Sequence, residues 1–286
     1  MEETYKRVRS RLGYQALFDT EDIEDALRYA KENTFRAVEL NMNDINFLPE
    51  NYMAENRRQV RKTADKLGIS MLLHAPEGLD LVNVQDGVRF AVVERLKEII
   101  DFARDLSAPC VTIHLGMSSC ISVDGKMLPL HRAYPELYKE VISSSLSELA
   151  RYAKGKTCLC LENTEITNER IVREILVELL GYDDLFLTWD IGHSHQYKAR
   201  VREWEEEFFL DYKNRVRNVH IHDNNGKWDE HNIIGNGTLN LGHYVSILAD
   251  LNAYMIFEVR PRERAVECLR RFREHMKSPQ ASGVKP

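Results

Sequence analysis

The stretch Cys158-Leu-Cys-Leu-Glu162 alternates small thiols with leucines and stops on an acid. Successive side chains of a strand point to opposite faces, so Cys158, Cys160 and Glu162 share one face and Leu159 and Leu161 the other. A leucine face suits packing under helices. A face of small residues ending in a carboxylate suits the interior and mouth of a closed barrel. Outward from this stretch the same unit recurs as Met71-Leu-Leu-His74, Val111-Thr-Ile-His114, Leu187-Thr-Trp-Asp190, Val219-His-Ile-His222 and Met255-Ile-Phe-Glu258. Thr112 shares a face with His114, and Thr188 with Asp190. Six consecutive strands thus end on a group able to hold a metal or move a proton.

The apolar runs predict eight strands: Tyr14–Phe18, Ala37–Leu40, Ser70–His74, Cys110–His114, Cys158–Glu162, Phe186–Asp190, Asn218–His222 and Tyr254–Glu258. Amphipathic stretches alternate with them at Asp22–Lys31, Ala54–Leu67, Arg89–Leu106, Tyr134–Lys154, Glu169–Leu180, Val201–Phe209, Tyr244–Leu251 and Arg262–His275. Eight such pairs make an α/β chain with a (β/α)8 TIM barrel. No repeat or break in composition divides it, so a single domain is expected over 1–276. The polar Pro, Ser and Gly residues of 277–286 predict a flexible tail. The rival doubly wound sheet usually carries a glycine-rich turn after its first strand, and Phe18-Asp-Thr-Glu21 is not one.

The 286 residues, 43% hydrophobic and 29% charged, can bury a full core and exclude general disorder. Lys and Arg number 39 against 45 Asp and Glu, and the resulting charge of −6 speaks against a broad grip on nucleic acid. No apolar run approaches the ~18 residues of a membrane span. Met1-Glu-Glu-Thr-Tyr-Lys6 shows no secretory signal. Five cysteines without a CxxC pair suit a reducing cytoplasm and no cysteine zinc motif. Cys158 and Cys160 read as interior packing residues.

Two loop clusters, Asp190-Ile-Gly-His193 and Asp229-Glu-His231, join the strand ends. Buried carboxylates must be paired or coordinated, and few cations stand nearby, Arg260 being the nearest. His74, His114, Glu162, Asp190, His193, His220, Asp229, His231 and Glu258 therefore read as metal ligands. Imidazole with carboxylate and no thiolate suits Zn2+, Mn2+ or Fe2+ over Mg2+ or Ca2+. Nine ligands exceed what one or two ions need, and three is the natural count.

In their order, His74-Ala-Pro76, Ile113-His-Leu-Gly116, Leu161-Glu-Asn-Thr164, Trp189-Asp-Ile-Gly-His193, Val219-His-Ile-His-Asp223, Asp229-Glu-His231 and Phe257-Glu258 resemble the xylose isomerase-like TIM-barrel superfamily. The resemblance covers about residues 13–275, and the ligand set is similar to that of endonuclease IV, the AP endonuclease family 2. It implies one ion on His74, His114 and Glu162, a second sharing Glu162 and adding Asp190, His220 and Glu258, and a third on His193, Asp229 and His231. A hydroxide between the first two would attack a phosphoester, with abasic-site DNA a candidate substrate.

The alternative on the same barrel is a sugar or sugar-phosphate isomerase or epimerase with one metal on Glu162, Asp190, His220 and Glu258. Glu162 and Glu258 would then be catalytic, moving a proton on opposite faces of an enediolate. Glu39, His222 and Arg260 would be substrate-binding. Glu77, following Pro76, would repel a DNA phosphate and favours the small substrate. A third reading, a non-catalytic metal sensor, requires a filled mouth. Met117–Tyr134 could form a lid whose His131 and Arg132 reach a phosphate. The oligomeric state stays open.

Overall fold

The computed structural model describes residues 2–181 and 185–277. Eight strands form the barrel: β1 (Leu12–Ala16), β2 (Ala37–Asn41), β3 (Ser70–His74), β4 (Cys110–Ile113), β7 (Cys158–Glu162), β8 (Leu185–Asp190), β9 (Val216–Ile221) and β10 (Tyr254–Phe257). Between β4 and β7 lies an antiparallel hairpin of β5 (Cys120–Val123) and β6 (Lys126–Pro129). The barrel closes in the order β1-β10-β9-β8-β7-β4-β3-β2, every pair parallel.

The helices are α1 (Glu2–Val8), α2 (Ile23–Glu32), α3 (Ala54–Leu67), α4 (Asp86–Leu106), α5 (Leu130–Ala133), α6 (Pro135–Ala153), α7 (Arg170–Leu180), α8 (Ile191–Gln196), α9 (Ala199–Asp211), α10 (Leu241–Asp250) and α11 (Glu263–Lys277). Local chemistry sets their ends. The Asp22 carboxylate caps α2 by accepting from the Asp25 amide at 2.7 Å. Gly68, at φ 67°, stops α3 in the left-handed region. α4 buries Val93, Leu96, Ile99, Ile100 and Phe102, and each such side chain contributes about 1.5–3 kcal/mol of burial.

Strand parity fills the barrel as the alternation predicts. Leu159, Leu161, Leu187 and Trp189 belong to the large core under the helices. Ala37, Leu72, Cys110, Cys160 and Ile256 make a separate apolar plug, and the Thr112 and Thr188 hydroxyls meet at 2.8 Å. On β9 the register advances two residues, Val216 to Asn218, for one step on β8. This bulge puts Val216 with the outer core while Asn218 and His220 turn inward.

The first strand begins earlier than predicted. Phe18 lies beyond it, 67% exposed, and Gly13 is inside it. A Cβ on Gly13 would stand 2.5 Å from the Ala37 carbonyl oxygen, so only glycine lets β1 close on β2. Within Met117–Tyr134, His131 is buried beside Tyr138 and Arg132 pairs with Glu169. Asp190-Ile-Gly-His193, expected as loop, runs into α8. The expected tail lies outside the described residues from 278 onward. No described helix is long and apolar enough to cross a membrane. All five cysteines are free thiols.

Candidate metal centre

The nine expected ligands converge at the C-terminal ends of the strands. Glu162, closing β7, is the hub. Its Oε2 stands 3.1 Å from His74 Nε2 and 2.9 Å from His114 Nε2, and its Oε1 lies 2.8 Å from His220 Nδ1. Glu258 Oε2 meets the same His220 nitrogen at 3.0 Å and Asp190 Oδ2 approaches it at 3.7 Å. One ligand atom from each of Glu162, Asp190, His220 and Glu258 lies within 4.8 Å of every other.

A second cluster adjoins the first through Asp190. His222 Nε2 lies 3.1 Å from Asp190 Oδ1 and 3.4 Å from Asp229 Oδ1. His231 Nε2 and His193 Nε2 reach Asp229 Oδ2 at 2.9 and 3.2 Å. The His222 and His231 rings stack at 4.3 Å. Gly192 makes the room, since a Cβ there would stand 2.1 Å from His222 Cε1.

Three imidazoles share one arrangement. Nδ1–H of His74, His193 and His231 donates to the carbonyls of Ala75, Asn163 and Glu258, each at 2.8 Å. A carbonyl can only accept, so Nδ1 carries a proton; Nε2, which donates to the cluster carboxylates while the ring is charged, is the atom left to bind an ion once its own proton is displaced. That is the tautomer a metal ligand needs, fixed by its backbone partner.

The loop carrying Asp229 and His231 is held by Asp223, which the sequence reading quoted in its motif without giving it a role. Asp223, fully buried, accepts from the amides of Asn224 and Leu239 on Oδ1 at 2.8 and 2.9 Å, and from Gly235 and Gly237 on Oδ2 at 2.8 and 2.9 Å. His231 adopts φ 46°, left-handed for a non-glycine residue, a strain its tethered surroundings impose.

Two expected substrate contacts stand elsewhere. Glu39 is fully buried under the centre. It accepts from Asn218 at 2.7 Å and Gln15 at 3.1 Å, and lies 2.9 Å from His220 Nε2. Burial by these partners keeps it from a sugar hydroxyl and makes it a brace for His220. His222 is also fully buried, enclosed by Asp190, Asp229 and Gly192, so it belongs with the ligand-type side chains. Arg260 does line the cavity, with NH2 on Glu258 Oε1 at 3.0 Å and Gln15 Oε1 at 2.6 Å.

The cavity above has a volume of about 540 Å3. Its floor includes His74, His114, Glu162, Asp229, His231 and Glu258, and its walls include Thr164, Gln196, Tyr197 and Lys227, with Glu77 and Glu165. The proteinaceous electrostatics call for positive charge. Burial alone would lower His74, but Glu162 more than reverses this and raises it to about 9. Burial likewise opposes His231, yet Glu258 and Asp229 raise it to about 9. His193 and His220 rise well above the ordinary imidazole range against the same burial, driven by Asp190 and by Glu39 respectively. Burial would raise Glu162 and Glu258, but the His220 charge, with His114 or His231, holds both well below the usual carboxylate range. Hydrogen bonds from His193 and His231 overcome burial at Asp229 and lower it strongly.

The comparisons agree with this architecture. An uncharacterized protein of Methanocaldococcus jannaschii is 28% identical over 250 residues, covering 84% of this chain and 86% of its own length. A D-tagatose 3-epimerase-like protein shares the fold at a TM-score of 0.73 and 24% identity, over 93% of this chain and 97% of that one. A 3-keto-D-glucoside 4-epimerase of E. coli does so at 0.69 and 17%, over 92% and 99%. A family model matches residues 27–275. With eight parallel strands closed into a barrel and that match across it, the chain belongs to the xylose isomerase-like TIM barrel family.

Proposed function

We propose that the chain is a divalent-metal-dependent isomerase or epimerase of a small sugar or sugar phosphate. The observation that carries this is the buried quartet of Glu162, Asp190, His220 and Glu258, of which Glu162 and Glu258 line an open cavity of about 540 Å3. Several similar folds carry epimerase names, a D-tagatose 3-epimerase-like protein and a 3-keto-D-glucoside 4-epimerase among them.

The donor set fits a metal. Glu39, Glu162, Asp190 and Glu258 are four buried carboxylates gathered round His220. Leaving such charges unpaired costs several kcal/mol each. A divalent ion held by Glu162, Asp190, His220 and Glu258 would offset two of these charges and act as a Lewis acid toward oxyanion charge developing on substrate. Zn2+, Mn2+ and Fe2+ suit this mixture of imidazole and carboxylate.

The chain's own groups supply the proton chemistry. One of Glu162 and Glu258 removes the proton from the carbon beside a carbonyl, and the other returns a proton to the opposite face or the neighbouring carbon. Arg260 orients Glu258 and offers its guanidinium to a substrate oxygen. His114 and His231 offer Nε2 to hydroxyls. A reducing, cytoplasmic setting accords with the five free thiols.

The second cluster supports another reading. Asp229, His231 and His193 would hold a further ion, up to three in all, for phosphoester hydrolysis. One experiment separates the two. Metal-loaded protein is incubated in D2O with a panel of ketoses and their phosphates, and in parallel with an abasic duplex. Deuterium entering at carbon beside the carbonyl supports the isomerase. Strand nicking without exchange supports the hydrolase and overturns the proposal.

A further inference from the structure

A buried acid outside the centre is tied to it by an unbroken chain of hydrogen bonds. Glu205, on α9, is fully buried. Its Oε2 accepts from Ser194 Oγ and, at 3.2 Å, from Asn163 Nδ2. Its Oε1 accepts from Asn168 Nδ2 at 2.9 Å and faces Arg173 NH2 at 3.6 Å. Arg173 is itself packed over the Phe208 ring at 4.1 Å.

Both residues on Oε2 reach the ligand-bearing backbone. Asn163 directly follows Glu162. Its Oδ1 accepts from the Asp190 amide at 2.7 Å, its Nδ2 donates to the Asp190 carbonyl at 2.9 Å, and its own carbonyl accepts from His193 Nδ1 at 2.8 Å. Ser194 directly follows His193, and its hydroxyl oxygen accepts from Trp189 Nε1 at 3.0 Å. One amide thus joins the end of β7 to the end of β8 and fixes the His193 ring. An asparagine amide can sit in two orientations. The Glu205 carboxylate, being an acceptor, holds Nδ2 on its own side and so directs Oδ1 to the Asp190 amide.

We propose that Glu205 is a positioning residue for the ion-holding centre: through Ser194 and Asn163 it registers Glu162, Asp190 and His193 against one another. The proposal rests on the metal-centre reading above. Removing the carboxylate also leaves the buried Arg173 without its carboxylate partner, so stability falls whether Glu205 packs or positions; metal affinity in the folded protein is the readout that a purely structural role would not move. A positioning carboxylate could not be exchanged without loosening the ion.

The test is Mn2+ binding to the full chain, with free and bound ion distinguished by electron paramagnetic resonance and folding followed by circular dichroism. Partners that orient metal ligands commonly carry about 10- to 100-fold in metal affinity. Glu205→Leu is expected to weaken Mn2+ binding by about 10- to 100-fold in a folded protein. Ser194→Ala, which removes the hydroxyl that donates to Glu205 and accepts from Trp189 and Asn163, is expected to weaken it about 3- to 10-fold. Glu205→Gln keeps an acceptor for Ser194 and Asn163 and is expected within about 5-fold of the unaltered chain. A folded Glu205→Leu or Ser194→Ala that binds Mn2+ like the unaltered chain overturns the proposal, as does Glu205→Gln binding as weakly as Glu205→Leu. If Glu205→Leu does not fold, Ser194→Ala decides. An unaltered chain that binds no ion overturns the metal centre along with the proposal. Binding that no variant alters overturns the proposal alone.

Discussion

Replacing Gly192 by alanine places a methyl group where the His222 ring already stands. The added Cβ would lie 2.1 to 2.5 Å from three ring atoms, whereas ordinary contact begins at 3.4 Å. The ring must therefore withdraw by about 1 Å, and it has little room. It is fully buried, stacks on His231 at 4.3 Å and bonds Asp190 at 3.1 Å. Overpacking of this kind costs about 1–3 kcal/mol. Losing a hydrogen bond to a charged partner adds about 1.5–3 kcal/mol. A total of about 3–5 kcal/mol, set against an unfolding entropy of about 2.1 cal/mol/K per residue, lowers Tm by about 5–8 °C. Calorimetry on the metal-free protein measures this. Gly78, where a Cβ would meet nothing within 4 Å, is the control, and Gly78→Ala is expected to move Tm by under about 1 °C. A Gly192→Ala protein melting with the control would refute the packing of His222 against α8.

Three further outcomes are expected. Glu258→Gln should lower turnover in the deuterium-exchange assay by about 100- to 10,000-fold, the usual share of a general acid or base; near-normal exchange would remove Glu258 from the proton path. Asp223→Ala leaves four backbone amides without their acceptor, so limited proteolysis should cut within 224–239 much faster than in the unaltered chain; a resistant loop would show that Asp223 does not hold it. The chelator-treated protein should lose stability at both pH extremes. His74 and His231, raised to about 9, contribute fully below about 6.5 and lose that contribution as pH rises through about 9. Glu162, Glu258 and Asp229, lowered, contribute above about 4 and lose it on acidification. Melting curves at stepped pH check both limbs, and a flat alkaline limb would contradict the imidazole–carboxylate coupling.

What was legible in the chain follows from how much of the signal is periodic. The parity of Cys158, Cys160 and Glu162 foretold the barrel interior, because a period of two survives in any strand with one face on a core. The convergence of these imidazoles and carboxylates was legible for the same reason, as repeated strand ends. Phe18 misled because an aromatic residue at a strand boundary resembles core, while Gly13, needed for the close approach to Ala37, resembles a breaker. The hairpin escaped notice because its strands bury little, although Asp124-Gly125 is a turn pair of the kind that closes hairpins. Glu205 was hidden in the acidic run Glu205-Glu-Glu207. Its helical spacing from Phe208 and Phe209, which share its buried face, was the available sign. Glu39 and His222 lay at expected strand ends, yet depth decides whether a side chain touches a substrate or braces a ligand, and strand parity carries no depth.

The most direct test is to locate the ion. Crystals grown with Mn2+ or Zn2+ and measured at the metal's absorption edge should show an anomalous peak coordinated by Glu162, Asp190, His220 and Glu258. If those side chains keep their mutual hydrogen bonds with no peak among them while the ion is present in excess, the account of this centre is contradicted.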